Sequence, residues 1–593
     1  PAGESVAILD QQPGRSISLF YRRLLAQIPH GIYLRGPMVE DATLSMCASM
    51  LEADKALLGF DLENARTVVS FGAPLFDGWG TPGRMMQLAE SRRKNGRPAI
   101  FQIETRQSRT ALQADSWIPV KPGTEGTLAL GLAHVLLGEK LCDAGRLRSL
   151  ASDFTGSGSN AFHDVAARFT PEKVSAITGV SVERIQSIAR CMANDTPTIV
   201  LGAGDPAGGP LRPEDNLAIA SLNFLLGSIS QKGGIIARRK LPGLTESQPG
   251  APPAHQIQEV PDRSIRVLLL DGAESGHALP WSLIERKLAD EKALVVSFSP
   301  FAAGLSRHAE IVLPSPAFLE SWQDVPAPFH SPVETFSLSA PLLTPPPGPA
   351  EPLEIIRQIA GALGVALDAE GLSFPDHLKA HVETLYTSGR GSVFTPSDSK
   401  TIPVKELDSA DKLWEALREG GCWVDEETNP ATPSRFSFFG NSGITAQRMI
   451  SLAEEQATHH PAAGTDSPLA LMPFGWRGTT GSGQLSPLMT KVYQESGLRS
   501  LSNHALVSPE TGKARGMINN EVATVQTDAG SFQVLVRYDA SVMPDVLLVA
   551  IGPDGAAMNS GSTADASEFL SICLAEDGRS WRVTPAMVTK RTA

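Results

Sequence analysis

Cysteine is scarce and scattered in this sequence. Cys47, Cys142, Cys191, Cys422 and Cys573 stand alone, with no Cys-x-x-Cys pair among the five. An iron–sulfur cluster needs grouped thiolates and a structural zinc needs paired ligands, so the chain carries no recognisable motif for either. Apolar runs are short as well. The longest, 267–270 and 546–551, fall far below the ~18 residues a membrane-crossing helix needs. Basic charge is thin: the net charge is −13, and no Lys/Arg stripe offsets it, which argues against a nucleic-acid partner. The densest basic cluster, Arg92-Arg93-Lys94, reads as a solvated helix end. His459-His460 and the scattered His134, His163, His277, His308 and His504 lack HxxxH or HExxH spacing, so they read as surface or core histidines. With no GxSxG elbow, an α/β-hydrolase has no nucleophile to offer.

What is present is ordinary globular material. Of 593 residues, 42% are apolar, and 53 glycines with 45 prolines announce many turns. That length suggests three or four domains. Strand and helix signals alternate through the first half. Residues 6–9, 67–71, 99–103 and 198–201 read as strands, and 16–28, 84–94, 128–137, 171–178 and 216–229 read as helices. The spacing is that of βαβ crossovers and a parallel sheet. After a Pro/Gly/Ser/Gln-rich stretch at 241–261 the same grammar restarts, with strands at 267–270, 294–298 and 311–313 and helices at 281–288 and 353–363. A second proline-rich stretch spans 341–352, and from about 385 to 465 turn residues dominate. The last 125 or so residues change character: short strands at 470–473, 521–527, 531–537 and 545–550, with a turn at Asp528-Ala529-Gly530, describe a small β-barrel.

Gly202-Ala203-Gly204-Asp205-Pro206-Ala207 follows a strand as a dinucleotide fingerprint does. Pro206 and Pro210 delay the helix, however, and no acidic residue ends a second strand ~20 residues on. A plain turn is favoured, leaving a dinucleotide-dependent dehydrogenase as a weak third reading. More specific is a repeated segment. A strand at 100–104 leads through Arg106 and Arg109 to Ala114-Asp115 and a short strand stopped by Pro119. A strand at 295–298 leads through Arg307 to Ala309-Glu310 and a short strand stopped by Pro314. Two α/β units related by duplication would present such loops at the carboxyl ends of their strands.

Several ordered motifs resemble the catalytic-type subunit of the molybdopterin oxidoreductase superfamily, the dimethyl-sulfoxide-reductase class. They are Asp61-Leu62-Glu63-Asn64-Ala65-Arg66 before 67–72, Ala114–Glu125 (ADSWIPVKPGTE), Phe169-Thr170-Pro171-Glu172, Leu222-Asn223 with Leu225-Leu226-Gly227, His308–Pro314 (HAEIVLP), Leu319-Glu320-Ser321-Trp322 and Val507-Ser508-Pro509-Glu510-Thr511. The resemblance runs nearly end to end. It implies an α/β fold of two related doubly wound domains, one inserted in the other, plus a six-stranded-type β-barrel. Residues 1–60 with 262–365 would form the first domain, 61–261 the inserted second, 366–465 an irregular connection and 466–593 the barrel. It further implies that two pterin guanine dinucleotides would be held near Gly72, Arg106, Arg109, Lys121, Gly123, Thr124, Glu125, Gly272 and Arg307, with barrel loops around Trp476 and Asn503.

The departures from the pattern point to one branch. The family's metal ligand precedes the Asp61–Arg66 element; here that stretch offers only Cys47, Ser45 or Asp41, and Cys47 lies too close to Asp61 for the usual register. The strand-end motif reads Glu104-Thr105-Arg106, its counterpart reads Ser299-Pro300-Phe301, and the family's N-terminal cluster motif is not found within residues 1–593. The chain therefore resembles the metal-free large subunits of the menaquinone reductase complex (Qrc) and of alternative complex III. That implies no catalytic residue and no cofactor in this chain. It also implies a periplasmic, peripheral place on the inner membrane, with iron–sulfur protein, multihaem cytochrome c and integral membrane quinone-binding subunits as partners. No export signal is visible in the sequence itself. The competing expectation is an active molybdenum or tungsten bis-molybdopterin guanine dinucleotide enzyme of the polysulfide or thiosulfate reductase type, with Cys47 as metal ligand.

Overall fold

A computed structural model describes residues 5–590 except 37–40, 52–57, 77–78, 81, 156–160, 204–210, 244–250, 273–278, 280, 290–292, 303, 329, 366, 368–370, 430–434, 460–466, 476–503, 552–571 and 573–582. Its architecture is mixed α/β with a closed six-stranded barrel, as the motifs imply.

The first sheet has six strands, in the order Ile311–Pro314, Leu294–Ser299, Ile265–Asp271, Ser5–Asp10, Gly31–Arg35, Ala254–His255. All of its pairings are parallel. Its central strands, SVAILD and IRVLLLD, are near-continuous apolar runs because helices cover both faces. The stretch at 241–261, which reads as a linker, supplies the edge strand Ala254–His255.

The second sheet has four parallel strands, in the order Ser116–Pro119, Ala99–Glu104, Thr67–Phe71, Thr198–Gly202. Behind it runs the helix Glu125–Gly138, whose Leu128, Leu130, Leu132, Val135 and Leu136 are all buried. A helix apolar on every side belongs inside a core, and this one is the centre of the largest apolar cluster.

The repeated segment seen in the sequence is one hydrogen-bond device used twice. Ile100 N–H donates to Asp115 Oδ2 at 2.7 Å, and Asp115 N–H donates back to the Ile100 carbonyl at 3.0 Å. Val295 N–H donates to Glu310 Oε2 at 2.7 Å, and Glu310 N–H donates to the Val295 carbonyl at 3.0 Å. Each Ala-acid pair thus clips an edge strand to its neighbour, and the proline that ends the edge strand needs no donor.

Residues 323–425 fold more regularly than their turn-rich sequence suggests. Five strands, Gln323–Pro326, Glu334–Ser339, Cys422–Asp425, Ser392–Thr395 and Lys400–Pro403, form an antiparallel sheet in that order. It packs on helices Phe374–Ser388 and Ala410–Arg418 through Leu378, Val382, Leu385, Leu413 and Trp423. The part of 366–465 within this sheet is therefore not irregular. Asp425 anchors it, receiving Arg239 and Arg390 from outside the strand. The barrel closes from Leu469–Gly475, Val546–Ile551, His504–Val507, Gly530–Tyr538, Val522–Thr527 and Thr584–Lys590.

Candidate functional site

Most residues of the recognisable motifs bind the chain itself. Asp61 Oδ2 accepts Gly233 N–H at 2.7 Å, and Asn64 Nδ2 donates to Asp61 Oδ1 at 2.8 Å, so this element grips the Gly233-Gly234 turn. Thr170 and Ser508, each followed by Pro and Glu, are N-caps whose hydroxyls accept Lys173 N–H and Thr511 N–H. Trp117 Nε1 donates to the Glu104 carbonyl at 3.0 Å. These signatures specify the fold.

Chemistry in parallel α/β sheets belongs in the crevice where strand order reverses, outside the carboxyl ends. In the first sheet that point lies between Ser5–Asp10 and Ile265–Asp271. Both strands end in a buried aspartate. Arg15 Nη2 lies 2.5 Å from Asp271 Oδ2 and 3.4 Å from Asp10 Oδ1. Asp10 also accepts Ser18 Oγ at 2.6 Å, Tyr33 OH at 2.9 Å and Gln12 N–H at 2.9 Å. Burial, reinforced by Asp10 and opposed by Arg15, raises the Asp271 carboxyl above its ordinary value. Above the cluster the Gln11 side chain lies against Gly36 so closely that a Cβ there would collide with its Oε1. A Cβ on Gly272, which has φ +66°, would sit 3.4 Å from Gln11 Cβ. Among the described residues, Gln11, Gln12 and Arg15 stand at this end of the two strands.

In the second sheet the reversal lies between Thr67–Phe71 and Thr198–Gly202. Gly72 turns the chain there at φ +76°. Gln102 Nε2 donates to the Ala73 carbonyl at 3.1 Å and to Glu104 Oε2 at 2.9 Å. Burial raises the Glu104 carboxyl, and Ser108 N–H reaches its Oε1 at 3.0 Å. Arg106 points to the barrel: its Nε is 3.7 Å from Asp539 Oδ2 and its guanidinium lies 5.1 Å from the Phe474 ring centre. The backbone on either side is stitched to the same place, Gln107 N–H to the Ser541 carbonyl and Met543 N–H to the Thr105 carbonyl. Arg109 opens the short helix Arg109–Gln113 with its side chain exposed.

The Lys121–Glu125 turn meets the barrel too. Gly123 has φ +76°, and a Cβ on it would be 2.9 Å from Val583 Cγ2. Thr124 Oγ1 donates to the Lys121 carbonyl at 2.7 Å, closing the turn. Glu125 is buried beside Asp215, whose carboxylate is clasped by Arg212 at 3.1 Å. Burial first, and Asp215 second, push the Glu125 carboxyl up to about 8. Its Oε2 is buried without a hydrogen-bond partner.

The structure thus brings Arg106 and the Lys121–Glu125 turn to the barrel, whereas Gly272 and the exposed Arg307 belong to the first sheet. Cys47 faces no cleft. It is wholly buried in the helix Asp41–Met50, in the apolar cluster with Leu44, Met50 and Phe60, and burial pushes its thiol far up. Ser45 is half-buried on the same helix. The side chain of Asp41, and Gly204–Ala207, Trp476 and Asn503, lie outside the described residues. Among the described residues no group of three or more His, Cys, Asp or Glu could hold a metal ion, and no helix is long and apolar enough to cross a membrane. Sequence reasoning missed the Asp10–Arg15–Asp271 cluster. Its visible signal is that two apolar strands each end in aspartate.

No family model matches the chain. It is 25% identical over 508 residues, 84% of its length and 66% of the relative's, to the molybdopterin-binding-like subunit of menaquinone reductase from Nitratidesulfovibrio vulgaris. It is 28% identical over 312 residues, 49% of its length, to the probable oxidoreductase YoaE of Bacillus subtilis. The chain thus spans 66% and 45% of these relatives' own lengths. Acetylene hydratase from Pelobacter acetylenicus shares the fold, with a TM-score of 0.66, 14% identity and coverage of 99% of this chain and 86% of that one. The chain is also 29% identical over 193 residues, 29% of its length, to the dimethyl sulfoxide reductase DmsA of Escherichia coli, so its sequence relatives include the class that the motifs resemble.

Proposed function

We propose that this chain is a molybdopterin-oxidoreductase-like subunit of a membrane-bound respiratory quinone reductase complex, working without a molybdenum cofactor of its own. The observation that carries the reading is the first crevice. A chain that bound a dinucleotide at each sheet would keep both reversal points open, but Gln11 lies against Gly36 and Arg15 is committed to Asp10 and Asp271. Cys47 compounds this, because a core thiol held protonated by burial is no metal ligand. Among the described residues, those at the first crevice do not fit a dinucleotide and Cys47 does not fit a metal.

The likeness to a menaquinone reductase subunit supports the choice of complex. In that assembly the chain scaffolds electron transfer, holding an iron–sulfur protein and a multihaem cytochrome c against an integral membrane subunit that binds menaquinone on the periplasmic side. Its own side chains break no bonds. One observation favours the second reading, an active molybdenum or tungsten enzyme: Glu125 keeps an unpartnered buried oxygen in the turn that resemblance assigns to a dinucleotide.

Elemental analysis and pterin extraction on the purified complex separate the two. Molybdenum and tungsten together well below one atom per chain, with menaquinone reduction intact, is the expected result. One molybdenum or tungsten per chain with extractable pterin would overturn the scaffold reading.

A further inference from the structure

Residues 308–356 hold six carboxylates and no lysine or arginine. Within them run two uncharged stretches, 311–319 and 335–350, and the fold binds these together. The Leu319 carbonyl accepts the N–H groups of both Leu342, at 2.8 Å, and Leu343, at 3.0 Å, and Ala350 N–H donates to the Pro314 carbonyl at 2.9 Å. The turn beside them is fixed as well: Glu320 N–H donates to the Ala317 carbonyl at 2.8 Å, and Glu320 Oε2 accepts Ala317 N–H at 2.9 Å. Pro341 and Pro345-Pro346-Pro347 stiffen the strap further. On this braced backbone Phe318 is 51% exposed, Leu342 77% and Leu343 56%. None of the three belongs to an apolar core cluster, so the fold gains little from them. Three large apolar side chains held rigidly in water have the form of an interface centre.

The surrounding charge selects the partner. Glu310, Glu320 and Glu351 flank the patch in sequence, Glu354 is paired with Arg357 at 3.3 Å, and Asp324 and Glu334 are buried. A second copy docking by the same face would set these acids against themselves. A bilayer of anionic headgroups would meet the same repulsion. A protein surface with an apolar centre and a basic rim is complementary on both counts. We propose that Phe318, Leu342 and Leu343 form the docking face for a partner subunit whose contact surface is apolar at its centre and ringed by lysine and arginine. The inference rests on the reading of the chain as one subunit of a larger complex.

The test places a photo-crosslinker in the full chain, Phe318→p-benzoylphenylalanine, and irradiates the complex purified from its own membranes. The expected product joins the chain to an apolar partner segment flanked by lysine or arginine. In parallel, Leu342→Gln/Leu343→Gln should lower the chain retained in the complex at least 10-fold while leaving the melting curve of the isolated chain unchanged. Leu342→Ala/Leu343→Ala provides a second variant with no new polar group and should lose retention in the same direction. Crosslinks to lipid, to a second copy or to an acidic segment, or undiminished retention of both variants, would overturn the docking face alone. A wild-type chain that purifies without partners would overturn the proposed function with it. A complex that carries one molybdenum or tungsten per chain and gives the expected crosslink would overturn only the cofactor-free reading.

Discussion

Arg15 bridges the two aspartates at the reversal point of the first sheet, and removing its charge tests how much the cluster depends on it. Arg15→Leu leaves Asp10 and Asp271 buried at the ends of adjacent strands without their cation. Breaking a buried pair in this way costs about 3–5 kcal/mol, which urea unfolding at pH 7 would read directly. Replacing all three members by apolar residues should cost much less, since no charge is then stranded. Glu125 gives a prediction of opposite character. Its carboxyl keeps its proton up to about pH 8 in the fold but releases it near the ordinary 4.5 when unfolded. The folded state therefore binds more protons between those values, and stability falls as pH rises through that window before levelling. Glu125→Gln, which cannot ionise, should flatten that fall and gain on the order of a few kcal/mol over the wild type between pH 5 and pH 8. Urea melts at the two pH values check it; parallel curves for both proteins would contradict it. At this scale the sequence is only half legible. The sequence sets Cys47 too close to Asp61 for the usual metal-ligand register, and the fold buries it mid-helix among apolar neighbours. The role of Arg15 is not legible, since its partner Asp271 lies 256 positions away, and no local pattern spans that distance.

Among elements, the Lys121–Glu125 turn is the joint between the second sheet and the barrel. Gly123→Ala introduces a Cβ 2.9 Å from Val583 Cγ2 at a φ of +76°. The two faults are separable: Val583→Ala should recover the steric part, while about 1 kcal/mol of left-handed strain remains. A double-mutant cycle in thermal unfolding reads the division, and full recovery would show that backbone conformation contributes nothing there. Most strands of both parallel sheets are legible because burial on two faces leaves continuous apolar runs, such as TVVSF and LVVSFS, whereas Gly31–Arg35 and the edge strand Ala254–His255 are not. Nor is the antiparallel sheet. Its Glu334–Ser339 strand alternates buried and half-buried residues, but the alternation opens on a buried glutamate and includes two serines. Glu334 is tolerated inside only because Arg238 reaches it at 2.9 Å from another sheet. The helix Ala410–Arg418 had a readable start in Ser409, whose hydroxyl accepts Lys412 N–H, and a readable face in Leu413 and Leu417.

For the molecule as a whole, motif order carries the architecture further than local pattern does, since alternating strands and helices cannot reveal that one parallel sheet is interrupted to admit another. That interruption has a consequence for synthesis. The strands Ser5–Asp10 and Gly31–Arg35 emerge from the ribosome early, yet their central neighbour Ile265–Asp271 follows only after the whole second sheet. At ~5–20 residues per second the interval is roughly 10–50 s. The Thr67–Gly202 sheet has all its strands long before then and would fold first. Stalled-ribosome chains cut near residue 240 should accordingly be protease-resistant across 67–202 and still cleavable within 5–35. Through that interval the apolar edge of Ser5–Asp10 has no neighbour on the side of Ile265–Asp271, which makes the nascent chain a natural client for a holding chaperone.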